Sequence, residues 1–124
     1  MDNALILPPR SLIEDDVRRA LAEDVGSGDL TAQLVADAEA RAELMTREDA
    51  VLCGTAWVDE VFRQLDARVC ITWLKRDGER LAAGSVIARF DGPARALLTG
   101  ERTALNFLQT LSGTATLAAR YADA

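Results

Sequence analysis

The sequence predicts an α+β domain, an open sandwich in which a mostly antiparallel sheet carries flanking helices. Three observations lead there. Period-two alternation of apolar and polar residues recurs over 38–46, 68–75 and 84–92, bounded by charged residues or glycines. Stretches with apolar residues at helical spacing cover 11–24, 55–66 and 93–111. The coarse order is helix, two strands, helix, two strands, then long helices. That is not the strict strand–helix alternation of a parallel α/β fold.

Each element has its own signal. Residues 11–24, SLIEDDVRRALAED, place Ser11 and Glu14 at capping-box spacing and Ile13, Val17, Ala20 and Leu21 on one face. Gly26 and Gly28 are expected to stop this helix, leaving VGSGDLTAQLV as a connector. Within that connector Asp29 is expected to cap a short turn that includes Leu34. From Ala38 to Thr46, alanines and Leu44 alternate with Glu39, Arg41 and Glu43, the pattern of a half-buried strand. VLCG, 51–54, reads as a second short strand ending at a glycine. Trp57, Val58, Val61, Phe62 and Leu65 then mark a helix over 55–66 packed on the sheet.

RVCITWLK alternates again and ends at Asp77-Gly78, a turn signal, and GSVIARFDG, 84–92, is the next strand. Pro93 suits the first position of a helix, and 93–111 carries Leu97, Leu98, Leu105, Leu108 and Leu111. Gly100 inside it costs about 1 kcal/mol relative to alanine, which predicts a neighbour passing close by. Ser112-Gly113 predicts a break, with TATLAARYADA as a further helix. That segment stops at Ala124 without a proline, a charged tail or a capping glycine, so the end is expected to be a cut.

At 124 residues with 49% apolar residues, the chain is one domain's worth, with a core built mainly from aliphatic side chains. A net charge of −6 argues against generalised nucleic-acid binding. Histidine is absent and Cys53 and Cys70 form no Cys-x-x-Cys pair, which excludes a zinc site of the usual kind. Both thiols, in apolar contexts, are expected to be buried and reduced. MDNALILPPR lacks a basic n-region and a cleavage site, and no apolar run approaches a membrane span. A soluble, cytoplasmic protein is expected. Without histidine, acid–base chemistry would fall to carboxylates, Lys75, Tyr121 or a thiol, which argues against a complete catalyst.

Four stretches bear on chemistry. EDVGSGDLT, 23–31, has glycines before a helix but matches neither a Walker loop nor a dinucleotide fingerprint, and reads as an acidic connector. DGERLAAG, 77–84, resembles the hairpins that carry biotin or lipoate. The only lysine, Lys75, precedes the turn, so a structural hairpin is expected. Glu14, Asp15 and Asp16 lie near the start of a helix, where carboxylates favour the dipole, and have no metal-ligand spacing. The fourth is LLTGERTALNFLQTLSG, 97–113, an apolar helix holding Glu101, Arg102 and Asn106. Arg102 and Asn106 are four apart and share a face. An arginine among buried leucines needs a carboxylate partner or an anionic ligand. Two readings stand at this point: an internal Glu101–Arg102 pair, or an anion-binding arginine whose planar fork suits carboxylate or phosphate oxygens.

LAEDVGSGDLTAQLV, TREDAVLCGTAWVDEVFRQLD and DGERLAAGSVIARFDGPARALLTGERTALNFLQTLSGTAT are similar to the N-terminal part of the quinolinate phosphoribosyltransferase family of NAD biosynthesis. The likeness covers roughly residues 11–124 in the family's order, and the ERTALNFLQ block is its most specific part. The resemblance implies a hammerhead-type open sandwich over 11–111, after an extension at 1–10. A helix at 112–124 would lead to an α/β barrel that this sequence lacks. It implies a reaction of quinolinate with phosphoribosyl pyrophosphate that gives nicotinate mononucleotide, pyrophosphate and carbon dioxide. Magnesium takes part, bound mainly through the barrel.

By the same resemblance, subunits pair so that the N-terminal domain of one covers the barrel mouth of the other. The arginine of the ERT motif, Arg102 here, would hold a substrate carboxylate in the neighbour's site. Glu101 and Asn106 would support it. The family's catalytic residues lie in the barrel, so none is expected in this chain, and the chain alone is expected to be inactive. A homodimer or higher homo-oligomer is implied, with no nucleic-acid or membrane partner. Other readings are a stand-alone dimerisation or binding module, a molybdenum-transport-linked homologue of the same fold, and nicotinate phosphoribosyltransferase.

Overall fold

The computed structural model describes residues 7–33 and 38–123, with side chains over 7–24 and 38–116. Helix α1, Arg10–Gln33, leads into strand β1, Glu39–Met45, and the two-residue β2, Ala50–Val51. Helix α2, Thr55–Leu65, is followed by β3, Cys70–Trp73, β4, Arg80–Leu81, and β5, Val86–Pro93. Helix α3, Ala94–Asp123, completes the order.

β5 is the centre of a three-stranded antiparallel sheet ordered β1-β5-β3. Alternation sorts its two faces. On the outer face Arg41 lies opposite Asp91, and Glu43 opposite Arg89. Both pairs close as ion pairs, at 2.8 and 3.3 Å. Toward the helices, Ala88 and Phe90 are buried, with Leu44, Ile71 and Trp73 packed beside them. One face is thus solvated and the other covered, as the alternating pattern predicts for an open sandwich. β3 and β5 form the expected hairpin, with β4 inserted between them and paired instead with β2.

The core lies between the sheet and three helices. Ile13, Val17 and Leu21 come from α1, and Trp57, Val58, Val61 and Phe62 from α2. Ala104 and Leu108 come from α3. Helix α2 starts from Gly54, whose φ of 110° lies in the left-handed region where a Cβ is unfavourable. A Cβ there would also come within 3.0 Å of Leu111 Cδ1 on α3.

Several expectations are corrected. The first helix begins at Arg10, so Ser11 lies inside it rather than capping it. The amides of Leu12 and Ile13 bond instead to the Pro9 carbonyl. The helix also runs through Gly26 and Gly28 to Gln33 rather than yielding to a connector. Asp29 thus lies inside this helix instead of capping a new turn, while Leu34 falls outside the described residues, as do residues 1–6 of the expected extension. Pro93 ends β5 instead of opening the helix.

α3 has no break at Ser112-Gly113. Its small polar residues serve as docking points there. Ser112 Oγ accepts from the Cys53 amide and donates to the Cys53 carbonyl, both at 3.0 Å. Thr116 Oγ1 accepts from the Val51 amide at 2.9 Å. These bonds satisfy backbone groups at β2 and the start of α2, so the polar residues hold the helix to the sheet. Finally, Cys70 is exposed and Cys53 half-buried, both unpaired thiols. Alternation along β3 puts Cys70 on the outer face with Thr72.

Candidate functional site

The rotation of α3 about its axis decides which of its side chains reach outward. Thr103, Ala104 and Leu108 face inward, at 1%, 5% and 6% exposure. Gly100 is buried too. A Cβ on it would meet Phe62 Cε1 at 2.5 Å and Leu65 Cδ1 at 2.9 Å. The close neighbour predicted at this glycine is therefore α2. Thr103 Oγ1 donates to Asp24 Oδ2 of α1 at 2.6 Å. Each helical residue turns about 100° from the last, so Arg102, next to the buried Thr103, is carried to the solvent side.

There the structure brings the three predicted residues together. Glu101, Arg102 and Asn106 are all exposed. With Leu98, Leu105 and Gln109 of α3 and Asp24 of α1 they line a groove of about 480 Å³. Arg102 and Glu101 make no hydrogen bond or ion pair within the chain among the described residues. The internal Glu101–Arg102 pair is thus not formed, as expected for adjacent helical residues, which diverge. The reason first given for needing a partner also changes. Leu98 is 41% exposed and, among the described leucines of the helix, only Leu108 is buried, so Arg102 stands in water rather than among buried leucines.

Asp24 and Gln109 line the groove without having been foreseen. Gln109 sits seven residues after Arg102, a helical repeat that places it on the same side. Asp24 arrives from a distant helix and left no local signal. Two carboxylates, Asp24 and Glu101, accompany one guanidinium, so the groove by itself is not an anion pocket. Its chemical asset is a planar fork of donors that no described residue of its own chain occupies.

Other perturbed groups serve the fold. Glu60 on α2 is 4% exposed and accepts from Arg63 Nε and Gln64 Nε2, each at 2.7 Å. Gln64 also donates to the Glu14 carbonyl at 3.0 Å, joining α1 to α2. Hydrogen bonds from Arg63 hold the Glu60 carboxyl below its ordinary value, against burial and with help from Gln64. The i+3 and i+4 spacing of these partners was the available signal. Asp59 accepts from the Trp73 indole at 2.7 Å. Withdrawal from water raises its carboxyl, that hydrogen bond opposes the rise, and the charge of Asp77 adds to it. Burial, then Asp77, raises the Cys53 thiol, the opposite of what an activated thiolate needs.

Glu14, Asp15 and Asp16 are engaged by Arg10, Arg18 and Arg19 at 3.2, 2.8 and 3.1 Å, a solvated helix face. No three histidine, cysteine or acidic side chains converge to hold a metal among the described residues. The described residues thus offer no such cluster to a magnesium ion. No described helix is long and apolar enough to cross a membrane.

Residues 29–112 match the family described as quinolinate phosphoribosyl transferase, N-terminal domain. The chain belongs to that family. The probable nicotinate-nucleotide pyrophosphorylase (carboxylating) of Bacillus subtilis (strain 168) is 44% identical over 96 residues, covering 77% of this chain and 33% of the relative. The chloroplastic nicotinate-nucleotide pyrophosphorylase (carboxylating) of Arabidopsis thaliana is 36% identical over 111 residues, 87% of this chain and 32% of that protein. The solved nicotinate-nucleotide pyrophosphorylase of Francisella tularensis superposes with a TM-score of 0.87 at 43% identity. The match covers 94% of this chain and 42% of that one.

The chain thus spans about a third of the curated relatives it matches. Its α+β sandwich is the N-terminal domain fold of the quinolinate phosphoribosyltransferase family. The ERT block falls within the matched range.

Proposed function

We propose that this chain is the N-terminal domain of a carboxylating nicotinate-nucleotide pyrophosphorylase and lends Arg102 to the active site of a neighbouring subunit. The observation that carries the reading is the state of Arg102. It is exposed, held outward by the packing of α3, and has no partner in its own chain among the described residues. An unpaired guanidinium beside two carboxylates binds little alone. It becomes a clamp when a second protein surface brings an anion to it and excludes water.

The reaction in this reading joins quinolinate to phosphoribosyl pyrophosphate and releases pyrophosphate and carbon dioxide. Both substrates are polyanions, so cations must gather them. The arginine fork fits a pyridine carboxylate with two parallel hydrogen bonds, fixing the ring as positive charge develops at the ribose carbon. Glu101 and Asn106 line the same groove and stand in this reading as supporting residues. Any magnesium in the reaction would be held by the barrel and not by the described residues of this chain. The chain then acts as one part of a cytoplasmic homo-oligomer and is inactive alone.

The test mixes the chain with a separately made barrel domain of a family member and follows pyrophosphate release. The chain alone gives no turnover, and the mixture gives turnover. In the mixture, Arg102→Ala raises the KM for quinolinate by about tenfold or more, the loss of one charge-assisted contact. Turnover by the chain alone, or unchanged kinetics of the Arg102→Ala mixture, overturns the reading.

A further inference from the structure

The sheet ends on one side at β1, and nothing among the described residues pairs with that edge. The Ala38 carbonyl accepts from the Ala94 amide, at the register that pairs Ala40 with Gly92 and Ala42 with Phe90. Even-numbered residues of β1 therefore direct their backbone groups toward β5. The amides and carbonyls of Glu39, Arg41 and Glu43 point away from the sheet. Five consecutive residues, Ala40, Arg41, Ala42, Glu43 and Leu44, line a largely apolar groove of about 300 Å³ whose far wall includes Leu97, Leu98 and Leu105 of α3. A run of consecutive strand residues lines a groove only where the strand presents its backbone edge to it. Such an edge is a template for a further strand.

We infer that this edge pairs antiparallel with the same edge of a second copy, about a two-fold axis at Ala42, giving a continuous six-stranded sheet. The charge pattern suits this partner and disfavours the registers centred one residue to either side. With Ala42 opposite Ala42, Arg41 of each copy lies opposite Glu43 of the other. Both are residues whose backbone groups point outward, so the ladder bonds and the charges agree. Within each copy Glu43 already faces Arg89, and Arg41 faces Asp91. The outer face then carries an unbroken row across the seam: Arg89, Glu43, the second copy's Arg41 and its Asp91, alternating in sign. On the inner face Leu44 meets Ala40, and the small Ala42 side chains meet at the axis. The nearest alternative, centred on Arg41, sets Arg41 against Arg41 and Glu39 against Glu43, which is repulsive. The side chain of Arg41 is 92% exposed even while its Nε pairs with Asp91.

This contact is independent of the role proposed for Arg102, and its failure would leave that role untouched. The test is analytical ultracentrifugation of the 124-residue chain over a concentration series, with circular dichroism to confirm folding. The chain is expected to dimerise. Arg41→Glu and Glu43→Arg should each weaken the dimer by at least about tenfold, since each sets like charges opposite at two symmetric places. The double variant Arg41→Glu/Glu43→Arg should restore dimerisation, although it leaves the in-chain pairs with Asp91 and Arg89 broken. Restoration therefore reads the contact between copies and not the fold. A monomer throughout, including one whose β1 edge is covered by another segment, overturns the inference. So does a dimer indifferent to the single reversals, or a folded double variant that stays weakened.

Discussion

Thr103 donates its hydroxyl to Asp24 across 2.6 Å, joining α3 to α1 between positions 79 apart in sequence. Thr103 is 1% exposed, so the bond is sheltered from water on its donor side. A hydrogen bond to a charged acceptor contributes about 1.5–3 kcal/mol. Thr103→Val, which keeps the shape and removes the donor, should lower unfolding free energy by about that amount in urea titration. Thr103→Ser should retain most of it. A valine variant within about 0.5 kcal/mol of the parent would show that the bond contributes nothing net.

Gly100 makes the opposite kind of contact, an absence that another side chain needs. Helix propensity alone would make Gly100→Ala stabilising by about 1 kcal/mol. The new Cβ would sit 2.5 Å from Phe62 Cε1, and Phe62 is itself buried at 4% exposure against Phe90. Overpacking of this kind costs about 1–3 kcal/mol, so the packing term wins and the variant should melt lower. Thermal denaturation showing a higher midpoint would mean that α2 and α3 separate easily here.

Glu60 predicts an acid-sensitive joint. Its carboxyl is held below the ordinary value near 4.5, chiefly by Arg63. A depressed folded-state pKa stabilises the fold above the unfolded-state value, and that contribution is lost as pH falls through the folded-state value. Glu60→Gln should therefore cost stability at neutral pH, and the deficit should shrink steadily once the pH drops below about 4.5. Denaturant midpoints of parent and variant between neutral pH and about pH 3 check this. A deficit that stays constant with pH would mean that charge is not what Glu60 contributes.

The strands were readable because one face of the sheet is wet. Arg41, Glu43, Arg89 and Asp91 alternate with apolar residues, and no other element imitates that period. The core stripe of α2 was equally plain. Glycines misled at both ends of the chain. Gly26 and Gly28 weaken a helix, but propagation adds a hydrogen bond for each residue, so α1 continues through them. Ser112-Gly113 suggested a break, whereas the hydroxyls of Ser112 and Thr116 bond to the backbone at Cys53 and Val51, partners more than fifty positions away. β4, two residues long, is too short to show any period.

The candidate site was legible as a trio and misjudged in its setting. Spacing put Arg102 and Asn106 on one face, but the leucine count implied a buried helix, and Leu98 proved to lie at its surface. Nothing local to Arg102 could announce Asp24, which the fold delivers from α1 to the same groove.

That setting yields a prediction for Arg102 separate from catalysis. A residue whose guanidinium bonds to no described residue of its own chain is not expected to hold the fold. Arg102→Ala should change unfolding free energy by no more than about 0.5 kcal/mol, a surface effect. Arg102→Lys should be equally silent in urea titration. The two variants should differ only when a carboxylate ligand is presented in an assembled site. Lysine keeps the charge but loses the two-pronged geometry, so it should recover only part of the affinity that alanine loses. A lysine variant equal to the parent would reduce the role of Arg102 to charge alone. Marked destabilisation by alanine would mean that the arginine has a structural partner within the fold after all.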